Sequence, residues 1–365
     1  MTNQSRLSRR MILGGCIGLA GLASNLGALS TSLQSVHASS LSSQSDTMSG
    51  MSGMSMSSKA IGDTPSMVGL PFQKGDVAAS ANGFDPLKML TDFDPGKASR
   101  LSNGQTFRDY SLIATNKNLL LGPQIQLPGV VYNGRLPGPF IRATQGDRIR
   151  ISFANQSNVT HSINFAGLQP SNPAGKPQDV TLEPVPKGGQ AVYEFNANHF
   201  GVYTYQAFTS PMADTTFRGL FGMLIVDPPT PRPKALELAM VMSGSPLEIK
   251  PNVAPVNNIY AINAVAFQFF KHPINIKVNQ PVRIYLANAT EFDRINSLHL
   301  HGNLFNVYRS GTSLTPNEFT DTVILCHGQT AILEFMYKLP GQYMFHAHQA
   351  IFSDEGWTST FNVTA

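Results

Sequence analysis

From about residue 100 to the C-terminus, apolar and polar residues alternate in short runs that Gly, Pro and Asn break. The first half reads VVYNGRLPGPFI, DRIRISFAN, HSINFAG, QAVYEFNA, GVYTYQAF and GMLIVD. A period of two puts residues i and i+2 on one face of an extended chain, so each run predicts a strand with one buried face. A proline-rich stretch, DPPTPRPK (227–234), then reads as a linker. From about 236 the pattern starts again: IYAINAVAFQF, INIKVNQPVRIYLAN, SLHLHGNLFNV, DTVILCH, AILEFMY, GQYMFHAH and WTSTFNV. The halves match in order, FAN–HSINFAG echoing LAN–SLHLHG and GVYTYQAF echoing GQYMFHAH. An internal duplication of one β-sandwich unit follows. We therefore expect an all-β chain of two tandem Greek-key β-sandwich domains, 100–229 and 236–365.

Upstream, residues 39–99 read as a Ser/Gly/Met-rich tail and linker, in which 39 to about 66 bury too little apolar surface to fold and are expected to be disordered. Composition agrees with a turn-rich β protein: 31 Gly, 25 Pro and only 13% charged residues. The net charge of +4 includes Arg6, Arg9 and Arg10, in a segment that holds no acid, so the chain without them carries 4 − 3 = +1. No basic stripe remains, and nucleic acid is not an expected partner. Residues 1–38 read as an export signal. Ser8-Arg9-Arg10-Met11-Ile12-Leu13 resembles a twin-arginine motif, an apolar run from Met11 to Ala23 follows, and Val36-His37-Ala38 fits a cleavage site. That run is shorter than the roughly 20 residues of a spanning helix, so a membrane is expected only during export, to the periplasm or beyond. Cys16 follows LGG, but the apolar run continues past it, which argues against lipidation. After cleavage only Cys326 remains, and no intrachain disulfide is expected.

Chemistry concentrates in the last third. His299-Leu300-His301 and His346-Ala347-His348 hold four of the nine His. On strands, each pair presents two imidazoles to one face, and two such strands side by side bring four ring nitrogens together. Imidazole suits copper, zinc, iron and nickel. The competing reading is a set of exposed strand histidines. Cys326-His327 is a minor second ligand candidate, in an apparent turn. Met48, Met51, Met54 and Met56 in the tail suit Cu(I) as thioethers, but low complexity explains them equally.

YNGRLPGPFI, SLHLHGNLFNV and GQYMFHAH together resemble the cupredoxin-repeat superfamily of multicopper oxidases and copper nitrite reductases, from about 100 to 365; HSINFAG is closer to the nitrite reductases. The resemblance implies cupredoxin-like domains, copper, and, as in the trimeric members, a catalytic copper between one subunit's first domain and the next subunit's second. Laid on the family's H-P-x-H-x-H-G and H-C-H-x-x-x-H patterns, His299, His301, His346 and His348 stand at copper-ligand positions. Asn296, Ala347, Phe352 and Trp357 stand where the blue, type 1 site has His, Cys, His and Met or Leu. In domain one, Asn164-Phe165-Ala166 and Gln206-Ala207-Phe208 replace H-W-H and H-S-H. His161 falls on a blue-site His, but its Cys partner is Ala207, so a packed His is expected. Asn164 replaces an acid that steers protons; its amide can still hydrogen-bond a bound ligand. The resemblance so adjusted implies one type 2 copper on the four histidines and no type 1 copper, a coupled pair of coppers being a weaker option. It implies an oxidoreductase acting on nitrite, dioxygen or a reactive oxygen species with electrons from an external donor, in a homotrimer. The alternative is a protein that stores or delivers copper.

Overall fold

The structure, a computed structural model, describes residues 75–172, 175, 183–209, 213–248 and 255–365. The export signal, Cys16 and the Met-rich tail lie outside the described residues. The first domain runs α1 (Pro86–Met89), β1 (Phe93–Asp94), β2 (Lys97–Arg100), β3 (Thr106–Gly122), β4 (Ile125–Tyr132), β5 (Phe140–Thr144), β6 (Arg148–Asn155), β7 (Ser162–Phe165), β8 (Gln190–Asn196), β9 (Gly201–Phe208), α2 (Ala213–Thr216) and β10 (Phe221–Asp227). The second runs β11 (Leu236–Ser245), β12 (Ile259–Ile262), α3 (Gln268–Lys271), β13 (Ile274–Lys277), β14 (Val282–Asn288), β15 (Ile295–Leu300), β16 (Phe305–Arg309), β17 (Glu318–Thr320), β18 (Thr322–Cys326), β19 (Thr330–Phe335), β20 (Gly341–His346), α4 (Ala350–Asp354) and β21 (Thr358–Thr364).

Four sheets result. The first domain pairs β2-β3-β6-β8, with β4 on β3, against β1-β5-β10-β9-β7; the second pairs β12-β11-β14-β19-β16-β17 against β13-β21-β20-β15-β18. The expected all-β fold of two cupredoxin-like sandwiches is what the structure has. Strand β6 shows the expected alternation, burying Ile149, Ile151 and Phe153 and turning Arg148 and Arg150 outward. Core one packs these against Ile163, Phe165 and Tyr205 of the facing sheet. Core two packs Leu238, Met240 and Leu286 against Leu298, Leu300, Phe345 and Phe361.

A third core lies between the domains. Val202 of β9 with Met223 and Ile225 of β10 meets Ala239 and Val241 of β11, Tyr285 and Ala287 of β14, and Ile332 of β19. The two middle sheets are thus covered on both faces, which is why β10 reads as an almost unbroken apolar run and every residue of β14 is buried, Arg283 and Asn288 included. Salt bridges tie the join: Arg142 holds Asp227 at 2.7 Å and Glu237 at 2.6 Å, and Arg283 holds Glu237 at 2.9 Å and Glu334 at 2.6 Å. Asp227 and Glu237 flank the proline-rich connector, so its two ends are clamped by one guanidinium.

The segment expected as tail and linker needs correcting at its end. Residues 86–100 form α1, β1 and β2, with β1 parallel to β5 and β2 antiparallel to β3. Met89 and Leu90 are buried, and Leu90 accepts a backbone hydrogen bond from Ala239 of the second domain. All four residues of β2 are exposed, so it holds its place by backbone pairing with β3 and an Arg100 hydrogen bond to the Gly104 carbonyl, and it leaves no hydrophobic pattern to read.

Below α4, Tyr260 and Phe352 stack at 3.9 Å, and Tyr260 N–H donates to the Glu355 carbonyl. The Glu355 side chain is 2% exposed and its Oε1 has no partner. Burial, with the Asp293 and Asp354 carboxylates adding to it, pushes its carboxyl up to about 7. Between the ordinary value of 4.5 and about 7 the folded state therefore binds the more protons, and stability falls as pH rises through that window. Glu355→Gln keeps the uncharged form, so its Tm is expected to exceed wild type at pH 8 and to match it at pH 5. Equal melting temperatures at both pH values would refute this account of Glu355.

Candidate metal centre

Strands β15 and β20 lie side by side and antiparallel, with His299 directly opposite His346 and Leu300 opposite Phe345. Leu298, Leu300 and Phe345 go into the core, so His299, His301 and His346 emerge on the outward face of the sheet. The remaining neighbour is β18, whose Thr322 lies opposite His299. One ligand nitrogen from each of His299, His301 and His346 lies within 4.8 Å of the others. His301 Nε2 and His346 Nε2 are 2.9 Å apart. Two nitrogens held on one ion by bonds of about 2.0 Å at about 90° would be about 2.8 Å apart. Without a metal, facing lone pairs repel, and one of these two nitrogens must carry a proton.

The back of each ring is held. Thr322 Oγ1 donates to Asp321 Oδ1 at 3.0 Å and so accepts from His299 Nδ1–H at 2.9 Å. His346 Nδ1–H donates to the Ala347 carbonyl at 2.6 Å. Both rings are thereby fixed in the tautomer that leaves Nε2 a free lone pair, the form in which imidazole binds a metal. Burial, reinforced by the neighbouring imidazoles, holds both below the usual histidine value, so both are neutral at pH 7. The donor set and its geometry fit a metal ion that prefers imidazole nitrogen.

His348 stands apart. It lies beyond the end of β20, exposed, and its ring packs edge-on to His299 with centroids 4.7 Å apart. Its backbone N–H donates to Ser297 Oγ at 2.8 Å, and Ser297 Oγ in turn donates to Gln349. It is outside the three-nitrogen cluster. Asn164 lies elsewhere: half-buried on β7, opposite Gln206 of β9, in a sheet of the first domain. Among the described residues no hydrogen bond joins it to the histidines. Cys326 is exposed at the far end of β18, opposite Ile295, and His327 Nδ1 bonds the Thr290 carbonyl. That pair is not brought to the cluster.

The positions matched to a blue copper site are filled otherwise. Asn296, Ala347 and Trp357 are fully buried; the Trp357 indole donates to the Ser297 carbonyl and packs edge-on to Phe345. In the first domain His161 is fully buried between the Phe153 and Tyr132 rings, and its Nδ1 bonds the Val159 carbonyl at 2.8 Å. Among the described residues its Nε2 has no partner, and burial lowers its basicity. Pattern reading missed Thr322, Asp321 and Ser297. Nothing in DTVILCH or NSLHLHG marks these residues, because their role comes from register between strands far apart in sequence.

Tandem β-sandwiches with an imidazole cluster on the outer sheet of the second define a two-domain protein of the cupredoxin kind. Residues 114–231 and 235–365 each match a family model described as multicopper oxidase. A solved structure described as a multicopper oxidase is 38% identical, with a TM-score of 0.73, over 79% of this chain and 100% of that one. The copper-containing nitrite reductase of Neisseria meningitidis serogroup B is 25% identical over 234 residues, 60% of this chain. That match spans 58% of the relative, so this chain covers less than two thirds of the curated nitrite reductases it matches. A copper nitrite reductase structure from Nitrosomonas europaea shares the fold, with a TM-score of 0.63 and 22% identity over 71% of this chain and 94% of that one. The chain belongs to the multicopper oxidase family, and the family implies copper.

His161→Leu trades one hydrogen bond for the loss of an orphaned buried nitrogen, so unfolding free energy is expected to change by no more than about 1 kcal/mol. A loss several times larger, measured by denaturant titration, would mean that the imidazole has a partner.

Proposed function

We propose that the chain is an exported, type 2 copper oxidoreductase, with copper held by His299, His301 and His346 and with His348 as a fourth donor at the open side. The observation that supports this most directly is the meeting of three imidazoles on one outward face, two of which, His299 and His346, are neutral and held in the tautomer that leaves Nε2 free. Among the described residues no cysteine lies beside them, and the positions that the resemblance matches to a blue centre carry Asn296, Ala347, Phe352, Trp357 and Ala207. Copper bound there with an open position supplies a Lewis-acid and one-electron centre for a small ligand. Nitrite, dioxygen and reactive oxygen species are the candidates, with electrons taken directly from an external donor.

The chain's own residues provide the remaining functions. Thr322 and the Ala347 carbonyl aim the rings, and Ser297 fixes the backbone at His348. The outward face continues beyond the histidines into Ile295 and Ile324, exposed at 41% and 52%. A neighbouring copy covering that face would enclose the site, and a homotrimer in which each first domain caps the next chain's histidines fits this need. Asn164 of the neighbour would then reach a bound ligand as a hydrogen-bonding amide. Export by the twin-arginine route, which carries folded proteins, fits a chain that takes up its metal before or during assembly.

Metal analysis of the purified protein is expected to give about one copper per chain. Its EPR spectrum should be of type 2 character, with no intense blue absorption. His346→Ala is expected to lose the copper while the metal-free protein keeps its circular dichroism and Tm, because the ring is not part of the core. Zinc, no metal, or a blue band would overturn the proposal. Turnover assays with nitrite and hydrogen peroxide on the copper-loaded protein then separate an oxidoreductase from a copper store.

A further inference from the structure

The two metal-facing imidazoles with assigned tautomers are backed by different groups. Behind His346 is a neutral peptide carbonyl, that of Ala347. Behind His299 is a chain that ends on a carboxylate: Nδ1–H to Thr322 Oγ1 at 2.9 Å, then Thr322 Oγ1 to Asp321 Oδ1 at 3.0 Å. Asp321 Oδ2 lies 3.9 Å from the same Nδ1. The chain is held in place by backbone on both sides, since Thr322 pairs with His299 across the ladder and Leu300 N–H donates to the Asp321 carbonyl at 2.9 Å.

We propose that Asp321, acting through Thr322, is a positioning group that makes His299 the strongest donor of the site and biases the bound copper towards Cu(II). The inference rests on the copper reading above. Its physical basis is polarisation. A carboxylate that draws on the Nδ1–H through an intervening hydroxyl raises electron density at Nε2, and hydrogen bonds in series strengthen one another. The doubly charged ion gains more from that density, and from the nearby negative charge, than the singly charged one does. The two residues divide the work. Thr322 fixes the tautomer and ring angle by geometry. The Asp321 side chain, 50% exposed, adds a charge that water partly screens, so its share is the smaller.

Three variants of the copper-loaded protein test this. Thr322→Val keeps the β-branched shape on β18 but removes the hydroxyl. It is expected to weaken Cu(II) binding by about 10–100-fold, as loss of an outer hydrogen-bond partner does elsewhere, while Cu(I) binding measured with a chromophoric Cu(I) chelator changes less. The midpoint potential therefore rises, by about 59 mV for each tenfold loss of Cu(II) relative to Cu(I) affinity in a one-electron couple. Thr322→Ser restores the hydroxyl and is expected to recover most of both values. Asp321→Asn keeps full copper occupancy and moves the potential up by less than Thr322→Val does. If Thr322→Val leaves the Cu(II) affinity and potential of wild type unchanged, if Thr322→Ser fails to recover them, or if Asp321→Asn does not move the potential, the proposal is wrong. These outcomes are distinct from failure of the copper reading itself, which would show as wild-type protein that takes up no copper.

Discussion

The register between β15 and β20 is the constraint on which the site depends. With His299 opposite His346, the outward positions of both strands carry imidazoles while Leu298, Leu300 and Phe345 fill the core. A slip of one residue would turn the rings into the sandwich and the leucines into water. Burial of those apolar residues therefore fixes the histidine face. The rings are already paired from behind, by Thr322 and by the Ala347 carbonyl. The site is preorganised in the sense that its ligand tautomers are set by the protein.

The layered architecture places that face. Because the two middle sheets bury both of their faces, one against its own domain and one against the other, only the outermost sheets have a side left for function. The histidines occupy one of these outer sides. Arg142, reaching Asp227 and Glu237 at the two ends of the connector, fixes the two sandwiches as one block. Such partly buried ion pairs add less net stability than their geometry suggests, since desolvation offsets much of the attraction. Their value here is in specifying how the domains meet.

Duplication of one sandwich gives the first domain the frame of the second without its His-x-His pairs. His161 sits where its partner set would make a ligand, yet Ala207 offers no donor and the imidazole is sealed between aromatic rings. The fold tolerates this because a buried neutral imidazole with one hydrogen bond costs little. The same sandwich in the second domain keeps its imidazoles on the surface, where their loss would cost the fold equally little. Retention of His299, His301, His346 and His348 is thus not accounted for by packing.

The amino-acid sequence by itself determined the period-two strands, the repeat of one sandwich, and the presence of two His pairs that each share a strand face. These are local properties: alternation follows from strand geometry, and a repeat is visible as text. Tertiary structure alone decided the rest. It showed that β15 and β20 are neighbours, that three nitrogens meet while His348 stands aside, and that Asp321 and Thr322 back His299. It also recruited residues 86–100, whose exposed strand β2 is held by backbone hydrogen bonds that leave no mark in side-chain pattern. The reason is the same in each case: which strand lies beside which, and at what register, is settled by burial and pairing across long sequence separations, and no local window contains that information.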